Sequence, residues 1–421
     1  MRNKICIIVD GYSTGRYYVD YFNQEGFDCF HVQSRENLNL DLCADADLSR
    51  YKDTILNESI EKTIQWIKEK GIPCCIVPGT DSGVELADTL SQFFNTQSKN
   101  EKSKAKARIN KFSMYKALKE SEIRTIKQEY CNSYEEAIKS IDALNLHYPI
   151  VVKPAQSILS DGFKVCNSLS DVKKAFDDNL NSKNIINLSN NGLLLQEFIK
   201  GTEYVVDTVS SDGNHVLTDL MEYTKKISKQ GHSIYQSADF LQLNEDWTKP
   251  LVEYAFSVLD AVGMKYGAAH IELMVDKDGP VLIEINSRLA GFTLSPDFVK
   301  EAYGHNQVEM ATLAYISTER FLKRASELNM NLNKYSSITF LTSENEGYLT
   351  KINLNGLKKF HSFIHADFHF QIGDFISEPK NLIESVAYIF LQDDNDNYVE
   401  EAKKFILEHP EKILTISKNQ L

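Results

Sequence analysis

No stretch of this sequence stays apolar for the length of a membrane-spanning helix, so a helical integral membrane protein is not expected. The opening residues MRNKICIIVDGYSTG hold too short an apolar run for a signal peptide and no small-residue cleavage site. No C-x-x-C pair suggests zinc. The seven cysteines, at positions 6, 29, 43, 74, 75, 131 and 166, are an odd and scattered set. They read as reduced thiols of a cytoplasmic protein rather than a disulfide framework, with the Cys74-Cys75 pair in a buried strand. A P-loop (G-x-x-x-x-G-K-S/T), a G-x-G-x-x-G fingerprint and the kinase H-R-D and D-F-G motifs are all missing. Basic residues are in deficit, 46 against 59 acidic, for a net charge of −13. That disfavours wholesale binding to nucleic acid or to an anionic membrane, though a local basic cleft stays open. Internal repeats are absent.

What is present is the composition of a soluble globular enzyme, 42% hydrophobic and 25% charged. At 421 residues, two to four domains are expected. Residues 1–98 alternate strand and helix: KICIIVD, a helix near 16–25, DCFHVQ, SIEKTIQWIKEKG, IPCCIVPG, DSGVELADTLSQFF. That order means a parallel α/β sheet. Gly11 and Gly15 read as a tight strand-to-helix turn. The polar, basic TQSKNEKSKAKARINK marks a boundary. The middle third, with long antiparallel runs and few helices, is α+β. The division expected is 1–98, 99–190, 191–330 and a C-terminal lobe over 331–421.

The most informative segment is HIELMVDKDGPVLIEINSR, a β-hairpin over His270 to Arg288. With its turn centred on Asp278, Glu272 faces Glu284, and like charges in register destabilise a sheet. Side chains alternate faces along a strand, so His270 and Glu272 share a face, as do Glu284, Asn286 and Arg288 on the return arm. Two carboxylates and a carboxamide make an oxygen-only site of the kind Mg²⁺ takes with water and phosphate as further ligands. A solvated sheet face with alternating acids has the same pattern. Arg288 suits a phosphate or carboxylate, or an ordinary surface ion pair.

A magnesium–phosphate site needs cations. Lys153, in PIVVKPA, ends an apolar strand where a lysine is costly unless paired. Lys111 opens a helix and reads equally as a solvated lysine. The loop AQSILSDG, holding Gly162, is small and polar enough to fold over phosphates with its backbone N–H groups.

The ordered set of a lysine at 111, VVKPA…SDG, LLLQEFIKGTEYVVD, HIELMV and VLIEINSRLAG resembles the ATP-grasp ligases over residues 100–320. VDGYSTG, GTDSGVELAD and EYVVDTVSSDG look most like the branch of L-amino-acid ligases, which make dipeptides. The resemblance implies an ATP-grasp fold between an N-terminal α/β domain and a C-terminal lobe, with ATP and Mg²⁺ as cofactors. It implies that Lys111 and Lys153 contact the ATP phosphates, and that Ser157, Ser160 and Gly162 belong to a phosphate lid. It further implies that Glu197, Phe198 and Ile199 border the adenine and Glu203 binds the ribose. Glu272, Glu284 and Asn286 would hold Mg²⁺, and Arg288, with Lys153, would act in catalysis. The chain departs from the wider family at Ile158-Leu159, where the lid usually has small residues, and at Asn110, where an aspartate often precedes the lysine. The activity implied joins an amino-acid carboxylate to an amine through an acyl phosphate. A homodimer is the family's expected assembly.

On the substrate side, His270, Tyr223, Lys226, His232 and Phe292 are candidates, each with an ordinary structural alternative. No general base stands out. His361, His365 and His369 are read as structural strand residues, too far apart for one metal. The runner-up functions are an ATP-grasp ligase of the purine or carboxylase type and a non-catalytic nucleotide-binding protein.

Overall fold

The computed structural model describes residues 4–36, 38, 47–157, 161–184, 187–228, 231–244 and 246–419. Contacts group the chain into two compact units. The first holds residues 1–126, 205–220 and 243–330; the second holds 127–204, 221–242 and 331–421.

The first unit opens as expected. β1 (Lys4–Val9), β2 (Phe27–Gln33), β3 (Thr54–Leu56) and β4 (Cys75–Pro78) form a parallel sheet in the order β3-β2-β1-β4. Ile5, Ile7 and Val9 pack in one apolar cluster and Cys6 and Ile8 in another, so β1 is buried on both faces. The helices are α1 (Tyr18–Gln24), α2 (Ile60–Lys70) and α3 (Val84–Phe94). Ser59 caps α2 by accepting from the Lys62 N–H, and Gly71 ends it at φ +137°, open to glycine alone. Cys6 lies in register with both Cys29 and Cys75. All described cysteines are free thiols. The pair at 74 and 75 is not wholly buried, however. Cys75 points into the core and Cys74, which precedes the strand, is exposed. Cys43 lies outside the described residues.

The polar segment 96–111 contains a 3-10 helix (Lys102–Arg108) ending in a fully buried Arg108. The guanidinium donates to Asp88 and to the carbonyls of Glu101, Val262 and Gly263. α4 (Lys111–Glu120) follows, capped by Asn110, whose side chain accepts from the N–H groups of Phe112 and Ser113.

In the second unit, β5 (Gln128–Cys131), β6 (Ile150–Pro154), β7 (Lys164–Cys166) and β8 (Leu193–Glu197) make an antiparallel sheet in the order β5-β8-β6-β7. α5 (Tyr134–Ala143) and α6 (Leu169–Asn179) supply its core with Ala137, Val172, Ala175 and Phe176. Strands β9 (Thr202–Ser211) and β10 (Asn214–Ile227) run through both units; their turn at Asp212-Gly213, both left-handed as expected of SSDGN, lies in the first, which holds residues 205–220. Residues 221–227 of β10 pair with β11 (Ser233–Phe240).

Back in the first unit, α7 (Lys249–Ala261) precedes the hairpin of β12 (Gly267–Asp276) and β13 (Gly279–Asn286). Its turn is not centred on Asp278. Asp276 pairs with Gly279, leaving the two-residue turn Lys277-Asp278, which alone would set Glu272 against Ile283. A bulge corrects this: Leu273 pairs with Leu282, yet Glu272 pairs with Glu284, so Ile283 is the extra residue. The facing glutamates form as expected, by a different route.

α8 (Pro296–Tyr303), α9 (Gln307–Ile316) and α10 (Thr318–Ala325) complete the first unit. The second unit ends in an antiparallel array including β14 (Tyr335–Leu341), β15 (Gly347–Ile352), β16 (Phe363–Phe368), β17 (Phe375–Ile376), β18 (Ala387–Asp393) and β19 (Leu414–Ser417). The three histidines serve structure here. His361 pairs with Asp393, His365 stacks on Phe390 at 4.2 Å, and His369 bonds to the Ser385 carbonyl.

Candidate active site

The hairpin face in the first unit sets His270 opposite Asn286 and Glu272 opposite Glu284. Each glutamate has a cation nearby. Lys111 Nζ lies 2.9 Å from Glu284 Oε2, with side chains only 12% and 17% exposed. The Asn110 cap fixes where that lysine leaves its helix. His270 Nε2 lies 3.6 Å from Glu272 Oε1, while its Nδ1 lies 2.7 Å from Asp207 Oδ1. Burial alone would lower the His270 pKa, but Asp207 and Glu272 outweigh it and raise it to about 9, so the ring is an imidazolium. Behind Asp207 stands Asp219, fully buried. Burial, and then the charge of Asp207, push its pKa well up. The carboxylate repulsion is thus offset by Lys111 and the imidazolium.

Arg288, just past β13, is no surface pair. Its side chain is 13% exposed; Nε donates to Asp81 Oδ2 at 2.9 Å and Nη1 to the Leu289 carbonyl at 2.8 Å. Asp81 begins the short turn after β4. Four and five residues beyond Arg288, Phe292 and Thr293 are both left-handed, at φ +64° and +50°, a conformation costing about 1–3 kcal/mol for each such residue.

The second unit holds the other expected residues. Lys153 lies in β6, 7% exposed and in register with Leu194. Ser157 Oγ donates to Asp161 Oδ2 at 3.1 Å. Gly162 is left-handed at φ +72° and close enough to Pro154 that an added Cβ would approach the ring to 2.8 Å. Ser160, with Ile158 and Leu159, lies outside the described residues. The Glu197 carboxylate accepts from the Lys127 N–H at 2.7 Å, and its own N–H donates to the Lys127 carbonyl. Phe198 and Ile199 follow, half-buried. Glu203 accepts from Lys225 Nζ at 2.6 Å, and that ammonium lies 3.9 Å above the Tyr235 ring. Tyr223 is buried edge-on against Tyr235, and Lys226 pairs at the surface with Glu344. His232 Nε2 sits 2.9 Å from Lys164 Nζ; burial and then that lysine lower its pKa to about 4, so it is neutral.

Among the described residues no group of three or more His, Cys, Asp or Glu side chains suits a metal ion. The hairpin offers two carboxylates and a carboxamide, a hard oxygen set suited to Mg²⁺ with its other positions left to water and phosphate. Sequence reasoning did not single out Asp81, Asp207 and Asp219. A signal existed for two of them: an aspartate inside the apolar runs EYVVDTV and HVLTDLM is as costly unpaired as Lys153.

A family model described as an ATP-grasp domain matches residues 146–296. Dapdiamide A synthase of Enterobacter agglomerans is 28% identical over 400 residues, 94% of this chain and 93% of that protein. The crystal structure of an L-amino acid ligase from Bacillus licheniformis superposes with a TM-score of 0.76 at 17% identity, covering all of both chains. The biotin carboxylase domain of 2-oxoglutarate carboxylase from Hydrogenobacter thermophilus, solved with MgADP, ADP and bicarbonate, gives a TM-score of 0.66 at 13% identity, over 99% of this chain and 91% of that one. At such identities the structural likenesses establish the fold. Residues 146–296 are therefore an ATP-grasp domain, and the chain that carries them has the ATP-grasp fold.

Proposed function

We propose that this protein is an ATP-dependent ligase that joins the carboxylate of an amino acid to an amine, a second amino acid being the expected acceptor. The observation that carries this reading is the pairing of Glu272 with Glu284, each matched by a cation, within an ATP-grasp chain. The likeness to dapdiamide A synthase runs along nearly the whole chain, which favours amide formation over purine-type or carboxylase-type chemistry. The segments 1–98, 99–190, 191–330 and 331–421 are kept as its functional division.

In this reading Glu272, Glu284 and Asn286 would hold Mg²⁺, which when bound neutralises phosphate charge. Lys111, 2.9 Å from Glu284, would contact the ATP phosphates. Lys153 meets the phosphates from β6. Ser157, Ser160 and Gly162 cover them, while Glu197, Phe198 and Ile199 border the adenine and Glu203 exchanges Lys225 for ribose hydroxyls. Arg288, aimed by Asp81, holds the carboxylate while it takes the γ-phosphoryl group. The amine then attacks the acyl phosphate, expelling phosphate. Lid closure keeps water from that intermediate. His270 and Phe292 border the acyl substrate, and Tyr223 and Lys226 stay secondary candidates. The free thiols support a cytoplasmic setting. A homodimer is the assembly to test for.

The test is phosphate release from MgATP across single amino acids and amino-acid pairs, with products read by mass spectrometry. Release that requires amino acids, with a dipeptide mass, supports the ligase. Release with bicarbonate alone supports the carboxylase type, and ATP binding without any release supports a non-catalytic protein. Glu284→Gln should lower turnover by about a hundredfold or more while the fold persists; wild-type turnover in that variant would overturn the metal assignment.

A further inference from the structure

The motif VDGYSTG finds no use in the chemistry above, yet it touches the loop that follows Arg288. Gly291 to Leu294 form a β-turn closed by the Leu294 N–H on the Gly291 carbonyl at 3.2 Å. Its central residues are Phe292 and Thr293, both at positive φ. Two left-handed central residues make a type I′ turn, a place for Asn and Gly, not for an aromatic followed by a β-branched residue. Something outside the turn must hold it. Thr14, 4% exposed, does so at both ends: its hydroxyl donates to the Gly291 carbonyl at 3.0 Å and accepts from the Leu294 N–H at 2.9 Å. Ser13 Oγ accepts from the Thr293 N–H at 3.2 Å.

The clamp is itself fixed. Asp10, fully buried at the end of β1, accepts from the Ser34 N–H, the Ser34 hydroxyl and the Ser82 hydroxyl at 2.6–2.7 Å. Ser82 neighbours Asp81, which aims Arg288. Gly15 lies so near Gly79 that an added Cβ would come within 2.4 Å of the Gly79 Cα. The loops after β1 and β4 therefore fix both Arg288 and the turn that carries Phe292.

We propose that Thr14 is a positioning residue that sets acyl-donor selectivity by holding Phe292 and Thr293 left-handed. This rests on the ligase reading, in which Arg288 binds the donor carboxylate and Phe292 faces the donor side chain. Thr14→Val keeps the shape and removes both hydrogen bonds; Thr14→Ser keeps the hydroxyl.

Phosphate release from MgATP is measured for both variants and for Thr14→Val/Thr293→Gly, over the standard amino acids as donors. The Val variant should raise the KM for the preferred donor about tenfold or more and broaden the range of donors accepted, with the KM for ATP unchanged. The Ser variant should behave as wild type, and Thr293→Gly should recover selectivity, since glycine holds positive φ without a clamp. Hydrogen exchange at Thr293 and Leu294 should speed up in Thr14→Val and not in Thr14→Ser. Unchanged donor KM and exchange in Thr14→Val, or an equal rise in the KM for ATP, overturns the proposal. A wild-type protein that releases no phosphate with any amino acid fails the ligase reading instead, and the exchange measurement still decides the clamp.

Discussion

His270 shows how much a single side chain does here. It faces Asp207 from β9, Glu272 on its own strand and the guanidinium of Arg288, with the buried Asp219 behind Asp207. Its folded pKa of about 9 lies above the ordinary 6.5. Its pairing therefore stabilises the fold fully below pH 6.5, and that stability is lost as pH rises through about 9. The advantage of wild type over His270→Gln, on the order of 3 kcal/mol at pH 6, should shrink towards zero by about pH 10. Urea unfolding at the two pH values measures it, and an advantage that grows with pH would contradict the imidazolium. At this scale the sequence was legible where chemistry narrows the choice. Facing glutamates in an apolar hairpin demand a cation, and the structure supplies Lys111 and His270. At Asp207 the apolar run calls for a partner but does not say which, because His270 lies 63 residues away and nothing local names it.

At the scale of elements, α4 delivers Lys111 to Glu284, and its start is set by the Asn110 cap. Asn110→Ala should cost about 1 kcal/mol and raise the KM for ATP, while Asn110→Asp should keep both, since an acid caps as well and suits the helix dipole. Equal ATP affinity in the Ala and Asp variants would separate the cap from the lysine's position. Elements themselves were readable from period and punctuation: Ser59 and Gly71 bound α2, and Asp212-Gly213 closes β9 on β10. The bulge at Ile283 was not. Alternation counts residues from an assumed turn, and an extra residue restores a register that the actual turn would have shifted by one. Only cross-strand pairing, a non-local property, reveals it.

For the molecule as a whole, the hardest part to read was the basic segment 96–111. Six of its residues are Lys or Arg, and composition alone makes it a solvated boundary. Yet Arg108 is fully buried and ties α3, through Asp88, to the carbonyls that end α7, joining stretches over 150 residues apart within the first unit. A charge run says nothing of which member turns inward; that follows from a partner such as Asp88 and from carbonyls left open at a helix end. Removing one partner of a buried pair strands the other, so Arg108→Met should destabilise the first unit by about 3–5 kcal/mol. The double variant Arg108→Met/Asp88→Leu should recover part of that, because the buried charge is gone as well. Both tryptophans of the chain, Trp66 and Trp247, fall in this unit, so their emission during urea unfolding follows it without a contribution from the second. A midpoint for Arg108→Met equal to wild type would show that Arg108 is dispensable to the unit. A lower midpoint with recovery in the double variant would show that the penalty is the stranded charge and not lost packing.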